Sequence, residues 1–254
     1  MHPFCRSFHL GLHIAATILP WKSPIILEGN TVYADIGKLI SKNRCTFIVT
    51  DSVIQNLALT KPLLDYLDQE GYPYVVYDKV SPNPTVANIE EALALYHKHD
   101  CHTLIAFGGG SPMDCGKGLL ARVARPKKSL KKMKGLFKVL RKIRPLIAIP
   151  TTAGTGSETT VCAVVSDDTT KYVINDLCLI PPYAAFIPEL TCSLPPHVTA
   201  TTGMDALVHA VESYIGVING KQTRKDALQA VTLIHKHLLT AYEDGNNLEA
   251  RREM

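Results

Sequence analysis

Two stretches of this chain combine small residues with hydrogen-bonding groups in a way that suits a phosphate ligand. Gly108-Gly109-Gly110-Ser111-Pro112-Met113-Asp114, with Lys117 following, stands between a strand-like run and a helix-like run. Glycines let backbone approach a ligand closely. Ser111 is placed to cap the helix, and Pro112 suits its first turn. A helix start offers free N–H groups and partial positive charge, which favours a pyrophosphate. The spacing is neither that of a Walker A loop, since Gly118 follows Lys117, nor GxGxxG. Pro150-Thr151-Thr152-Ala153-Gly154-Thr155-Gly156-Ser157-Glu158 is the second stretch, with four hydroxyls and two glycines in nine residues. Each could be an ordinary polar turn. Two at the same edge of one sheet point to a shared nucleotide site.

Asp51 ends another strand-like run. A carboxylate there can accept both hydroxyls of an adenosine ribose and would repel a 2′-phosphate, favouring NAD over NADP; an Asp there could equally cap a helix. Further on, Asp205 and His209 lie four apart in Gly203-Met204-Asp205-Ala206-Leu207-Val208-His209-Ala210-Val211-Glu212. On a helix they share a face, and a carboxylate and an imidazole on adjacent turns can grip one divalent ion, although such pairs are also common structural contacts. Of the remaining histidines, His97, His99, His102, His235 and His237 read as surface or core.

The elements that would position these groups follow from periodicity. Short apolar runs at Cys45–Thr50, Tyr72–Tyr77, His102–Phe107 and Leu146–Pro150 alternate with helix-like segments at Leu57–Gln69, Val86–His99 and Pro112–Val123. That alternation predicts a parallel sheet flanked by helices, with ligands at the carboxyl ends of the strands. Short strands, some antiparallel, are expected between Val161 and Pro188. His197–Ile215 and Thr223–Ala241 read as helices. The fold class is therefore α/β, a parallel nucleotide-binding sheet followed by the start of an all-helical domain. The expected domains are 1–190 for the dinucleotide and 191–254, incomplete, for metal and substrate.

Among 254 residues there are 27 basic and 23 acidic. Ten of the basic residues fall between Arg125 and Arg144 with no acid, leaving 17 against 23 elsewhere. The positive balance is one local segment, so a nucleic-acid protein is not indicated. Leu130, Met133, Leu136, Phe137, Leu140 and Ile143 recur in it at three-to-four spacing, which predicts a cationic amphipathic helix. Such a helix either packs its stripe on the domain or contacts a membrane or partner. Seven cysteines (Cys5, Cys45, Cys101, Cys115, Cys162, Cys178, Cys192), odd in number and without CxxC spacing, fit a reduced cytoplasmic setting. The apolar stretch Leu10–Leu19 lacks the flanks of a secretory signal.

Together the motifs resemble the iron-containing alcohol dehydrogenase family. GGGSPMD with Lys117 is similar to its GGGSxxDxAK pattern, with Gly116 in the Ala place. PTTAGTGSE resembles its second nucleotide loop, and TGMDALVHAVESY its metal-binding helix. Val49-Thr50-Asp51, Pro82-Asn83-Pro84-Thr85 and Leu190–Pro195 also match. The resemblance implies that Asp51 faces the ribose, and that Asn83, Gly109, Gly110, Ser111, Asp114, Thr151, Thr152 and Lys171 line NAD. It implies that Asp205 and His209 are two of four ligands of Fe²⁺, with zinc the other candidate. The family's two further histidines come from helices beyond residue 254. Glu249–Met254 resembles the start of the next helix, so the chain reads as interrupted in mid-domain.

The implied activity is hydride transfer between NAD and a small primary alcohol or aldehyde, a divalent ion binding the substrate oxygen. The intact form is expected to be a homo-oligomer without nucleic-acid partners. The alternative is a catalytically inactive, truncated NAD-binding module.

Overall fold

The structure, a computed structural model, describes residues 21–167, 170–217 and 219–254. Leu10–Leu19 and Cys5 lie outside them. The chain divides into two compact units, Lys22–Thr152 with Gly156–Thr191, and Cys192–Met254 with Ala153–Thr155.

The first unit is built on six parallel strands: β1 (Ile25–Glu28), β2 (Thr46–Val49), β3 (Tyr74–Tyr77), β4 (Thr103–Gly108), β6 (Leu146–Pro150) and β9 (Tyr183–Phe186). Their order is β1-β9-β6-β4-β2-β3. β2, β4 and β6 are apolar at nearly every position because both faces are covered. Phe47, Val49, Leu104, Ala106, Leu146 and Ala148 enter one buried cluster. The alternate residues Ile48, Ile105, Phe107, Ile147 and Ile149 enter the other. This period-2 alternation in a wholly apolar run allows no register slip that leaves both cores filled.

The helices of this unit are α1 (Val32–Leu39), α2 (Ser52–Asn56), α3 (Lys61–Glu70), α4 (Val86–Lys98), α5 (Gly110–Ala124) and the short α6 (Leu130–Met133). α4 begins at a capping box in which Thr85 accepts from the Asn88 N–H and the Asn88 side chain reaches back, an arrangement that satisfies two orphan donors at once. β5 (Gly135–Leu136), β7 (Cys162–Ser166) and β8 (Lys171–Asn175) form a second sheet in the order β5-β8-β7. Its β7–β8 pair is antiparallel, and β9 returns parallel to the main sheet. The periodic reading found four of the six main strands. β1 and α1 escaped it because β1 is four residues at an edge with three of them exposed, too short and too open to show a pattern.

One expectation is overturned. Residues 125–144 are not a helix: only Leu130–Met133 is helical. Gly135 takes φ 97°, and Phe137 and Leu140 take φ 51° and 45°, left-handed values that end any helix. The Asp176 carboxylate accepts the N–H groups of both Val139 and Leu140, replacing helical partners with a side chain. A run of like charges four apart opposes a helix as well. The apolar stripe is consequently split. Leu130, Met133 and Val139 are buried, while Leu136, Phe137 and Leu140 face solvent.

The second unit holds α7 (Pro196–Ile215), α8 (Lys221–Glu243) and α9 (Leu248–Glu253). α7 and α8 pack on each other and leave Met204, Val208, Val211, Leu239 and Tyr242 exposed. No described helix is long and apolar enough to cross a membrane.

Candidate functional site

In the first unit β4 is flanked by β2, reached earlier in the chain, and β6, reached later, so chain progress changes direction beside β2. Loops there diverge and leave a crevice at the carboxyl ends of the strands. Asp51 follows β2, Gly108–Gly110 closes β4, and Thr151–Thr152 follows β6.

Gly108 has φ 148°, and a Cβ there would stand 2.6 Å from Pro112 Cγ and 2.8 Å from Ile54 Cδ1, so the position admits only glycine. Gly109 is the cap of α5, with no side-chain hydrogen bond. Ser111 therefore does not cap the helix, contrary to the sequence reading: it sits inside the first turn, and its Oγ accepts the Asn83 N–H at 3.1 Å. The Gly110 and Ser111 N–H groups have no backbone partner among the described residues. The helix start is thus left with bare donors and its positive end.

The two loops are tied together. The Thr151 N–H donates to the Gly108 carbonyl at 3.1 Å, and a Cβ on Gly109 would touch the Thr152 side chain at 3.4 Å. Thr152 Oγ1 is buried and lacks a hydrogen-bond partner in the protein. Buried polar atoms are ordinarily satisfied, so this hydroxyl, beside bare backbone donors, fits a polar ligand. Asn83, at φ 58°, joins the same cluster: Lys171 Nζ donates to its Oδ1 at 2.8 Å. Asp51 does cap α2, its Oδ1 accepting from the Ile54 N–H at 3.0 Å; Oδ2 has no partner among the described residues.

Asp114 takes a different place from the one expected. It is buried, one oxygen accepting from Ser157 Oγ at 2.9 Å and the other from the Val164 N–H at 3.1 Å. It binds α5 to the second loop and to β7, and offers no free oxygen. Beside it lies Lys117, fully buried. Its ammonium donates to the Thr160 and Cys162 carbonyls, each at 3.0 Å, and to Ser157. Burial brings its pKa down to about 8, against the pull of Asp114. The sequence marked Lys117 only by its spacing after the glycines; nothing local showed that it reaches residues forty and more positions away. Glu158, the last residue of the second motif, is held above the usual carboxylate range by burial.

In the second unit Asp205 Oδ1 and His209 Nε2 are 3.9 Å apart and each side chain is about half exposed. That distance is too long for a hydrogen bond. His209 Nδ1 lies 3.3 Å from the Gly154 carbonyl. A carbonyl only accepts, so this contact needs the proton on Nδ1; in the neutral ring that leaves the Nε2 lone pair, the tautomer a metal requires. The donor chemistry suits a cation. The set is incomplete: no group of three or more potential ligands occurs among the described residues. Glu212 is exposed and joins no such group.

Residues 23–188 match the family described as iron-containing alcohol dehydrogenase, and residues 199–254 match the C-terminal part of that family. The chain belongs to the iron-containing alcohol dehydrogenase family. Among its relatives is alcohol dehydrogenase 4 of Schizosaccharomyces pombe, 37% identical over 232 residues, covering 90% of this chain and 55% of that one. Of solved structures, a 1,3-propanediol oxidoreductase superposes with TM-score 0.87 at 32% identity, over 93% of this chain and 63% of that one. Sulfoacetaldehyde reductase from Bifidobacterium kashiwanohense, solved in complex with NAD⁺, superposes with TM-score 0.82 at 29% identity, over 93% and 64%. The chain spans about half the length of the curated relatives it matches.

Proposed function

We propose that this chain binds NAD at the Gly108–Ser111 and Thr151–Thr152 loops and carries the cofactor half of an oxidoreductase that moves a hydride between NAD and a small primary alcohol or its aldehyde. The observation that carries the reading is the cluster of unsatisfied donors: two bare N–H groups at the α5 start beside the orphaned Thr152 hydroxyl.

When bound, the dinucleotide supplies the hydride acceptor for alcohol oxidation. Gly109, Gly110 and Ser111 would hold its pyrophosphate through backbone N–H groups. Asp51 would accept ribose hydroxyls through the oxygen that capping leaves over. Thr151, Thr152, Asn83 and Lys171 would orient the rest, and Asp114 supports the loops from behind. Holding the reacting carbons at contact distance is where such a site gains most of its rate. Asp205 and His209 would contribute to a site for Fe²⁺, or zinc. Two donors alone do not complete it, so no step is assigned to the ion.

The incomplete donor set also favours a second reading, a module that binds the dinucleotide without turnover. Titration with NADH followed by fluorescence, then alcohol-dependent reduction of NAD⁺ with added Fe²⁺ and after chelation, separates the two. Iron-dependent turnover supports the dehydrogenase. Saturable binding with no turnover in either condition supports the module. Absence of NADH binding refutes both.

A further inference from the structure

The cationic segment 125–144 has no part in the site above, and its conformation gives it one of its own. Its tip is fixed rather than loose. Gly135–Leu136 pairs with β8, the Phe137 N–H donates to the Asn175 carbonyl at 2.8 Å, and Asp176 holds the next turn. This framework presents Leu136 and Leu140, 60% and 65% exposed, with Phe137 between them. Around them stand Lys132, Lys134, Lys138 and Arg141, all exposed and without an ion pair among the described residues. Among the described residues, Lys131 alone of the ten cations has an acidic partner, Asp167 at 3.4 Å. The chain then passes a pocket of about 460 Å³ whose walls include His102, Lys142 and Arg144 around Val123 and Ile143.

Ten cations with one acidic partner among the described residues call for a polyanion. The three exposed apolar side chains among them decide which kind. In water they are a liability; at a bilayer interface each gains from burial while the surrounding ammonium groups meet phosphates. A nucleic-acid surface would need stacking aromatics and side chains that read or position bases. Here Phe137 is the lone aromatic and Ser129 the lone neutral polar side chain between Arg125 and Arg144. The rest of the chain has 17 basic against 23 acidic residues, so it would turn this face toward a negative surface and the remainder away. We propose that residues 125–144 form a docking surface for an anionic lipid bilayer, Leu136, Phe137 and Leu140 entering the interface and the flanking cations engaging headgroup phosphates.

The test uses the full chain with vesicles of phosphatidylcholine alone and of phosphatidylcholine with one-third phosphatidylserine. Expected is co-sedimentation with the anionic vesicles only, abolished by high salt. Replacing Lys132, Lys134, Lys138 and Arg141 by Gln should lower partitioning on the order of a thousandfold, given the contribution of each cation near such a surface. The Leu136→Ser, Phe137→Ser, Leu140→Ser variant should lose at least roughly a hundredfold, reflecting lost apolar burial of three large side chains. Unchanged urea midpoints would show both variants folded. No association of the unmodified chain at low salt overturns the proposal. So does a serine variant that binds vesicles undiminished, or single-stranded RNA bound more tightly than the anionic vesicles, which would make the surface a nucleic-acid contact.

Discussion

The glycine loops of the first unit and the Asp205–His209 pair of the second are built to different degrees. The loops rest on two buried clusters and are cross-tied by backbone and by the buried Asp114 and Lys117. Their unsatisfied donors sit in a frame tied by long-range hydrogen bonds from Asp114 and Lys117. The Asp205–His209 pair stands half-exposed on one helix, with His209 in contact with Gly154. A site whose supporting shell lies within one compact unit is preorganised. One whose donors come from a single helix gains its geometry only with further ligands. The following substitutions sharpen or break that contrast.

The largest effect is expected at Lys117. Lys117→Met removes the ammonium that Ser157, Thr160 and Cys162 bind and leaves those buried acceptors without a donor; each such loss costs about 1–3 kcal/mol. Urea unfolding should show that loss, with NADH affinity falling as the second loop loses its tether. The variant also isolates a pH dependence. An unfolded lysine titrates near 10.5 and the buried one at about 8. Between those values the unfolded chain holds the extra proton, so stability rises with pH across the window, by at most about 1.4 kcal/mol per pH unit. The penalty is complete below pH 8. The difference in stability between the unmodified chain and Lys117→Met should follow that slope; a flat difference from pH 7 to 10 would mean that the ammonium is not desolvated, and the preorganised frame would lose its central member.

Gly154→Ala probes the other region. A Cβ there would lie 2.0 Å from the Thr202 carbonyl oxygen and 2.6 Å from its carbon. Both are backbone, so nothing flexible can yield. Overpacking of this kind costs roughly 1–3 kcal/mol, and the His209 Nδ1 contact should go with it. The ring environment of His209, followed by proton NMR, should change. An unperturbed His209 in a stable variant would show that Gly154 does not orient the ring.

Much of the first region was legible in the sequence and little of its support. The strands announced themselves through continuous apolar runs such as Thr46–Val49 and Leu146–Ile149, and the loops through Gly and Thr at strand ends. The partners of Asp114 and Lys117 are 40 to 50 residues distant, and a side chain's long-range partner has no local signature. The segment 125–144 failed for a different reason. Its helical spacing was real, but Gly135 and the acceptor Asp176, more than thirty residues on, outweighed it. Asp205 and His209 were readable as a pair from spacing alone, because the pair is local.

A smaller effect separates binding from specificity. Asp51→Gly should leave the loops intact, costing a few tenths of a kcal/mol for an Asp-to-Gly cap change. If Asp51 reads the ribose, the ratio of NADPH to NADH dissociation constants should fall about tenfold, the size of a lost charge repulsion. An unchanged ratio assigns Asp51 to capping alone and leaves nucleotide selection to other residues.

The smallest expected effect lies at the Asp205–His209 pair, and its smallness is the point. Asp205→Asn removes a charge from a pair too far apart to hydrogen bond and about half in water. Exposed pairs of this kind contribute about 0–1 kcal/mol, so unfolding should shift by no more than about 0.5 kcal/mol. Two donors leave most of a cation's coordination shell to solvent, so chelation should not destabilise this chain either; an ion stabilises a fold only in proportion to its occupancy of the native state. A chelator-induced drop of several degrees in the unmodified chain, absent in Asp205→Asn, would reverse the contrast between the two regions. It would mean that these 254 residues already close around an ion, with donors beyond Asp205 and His209.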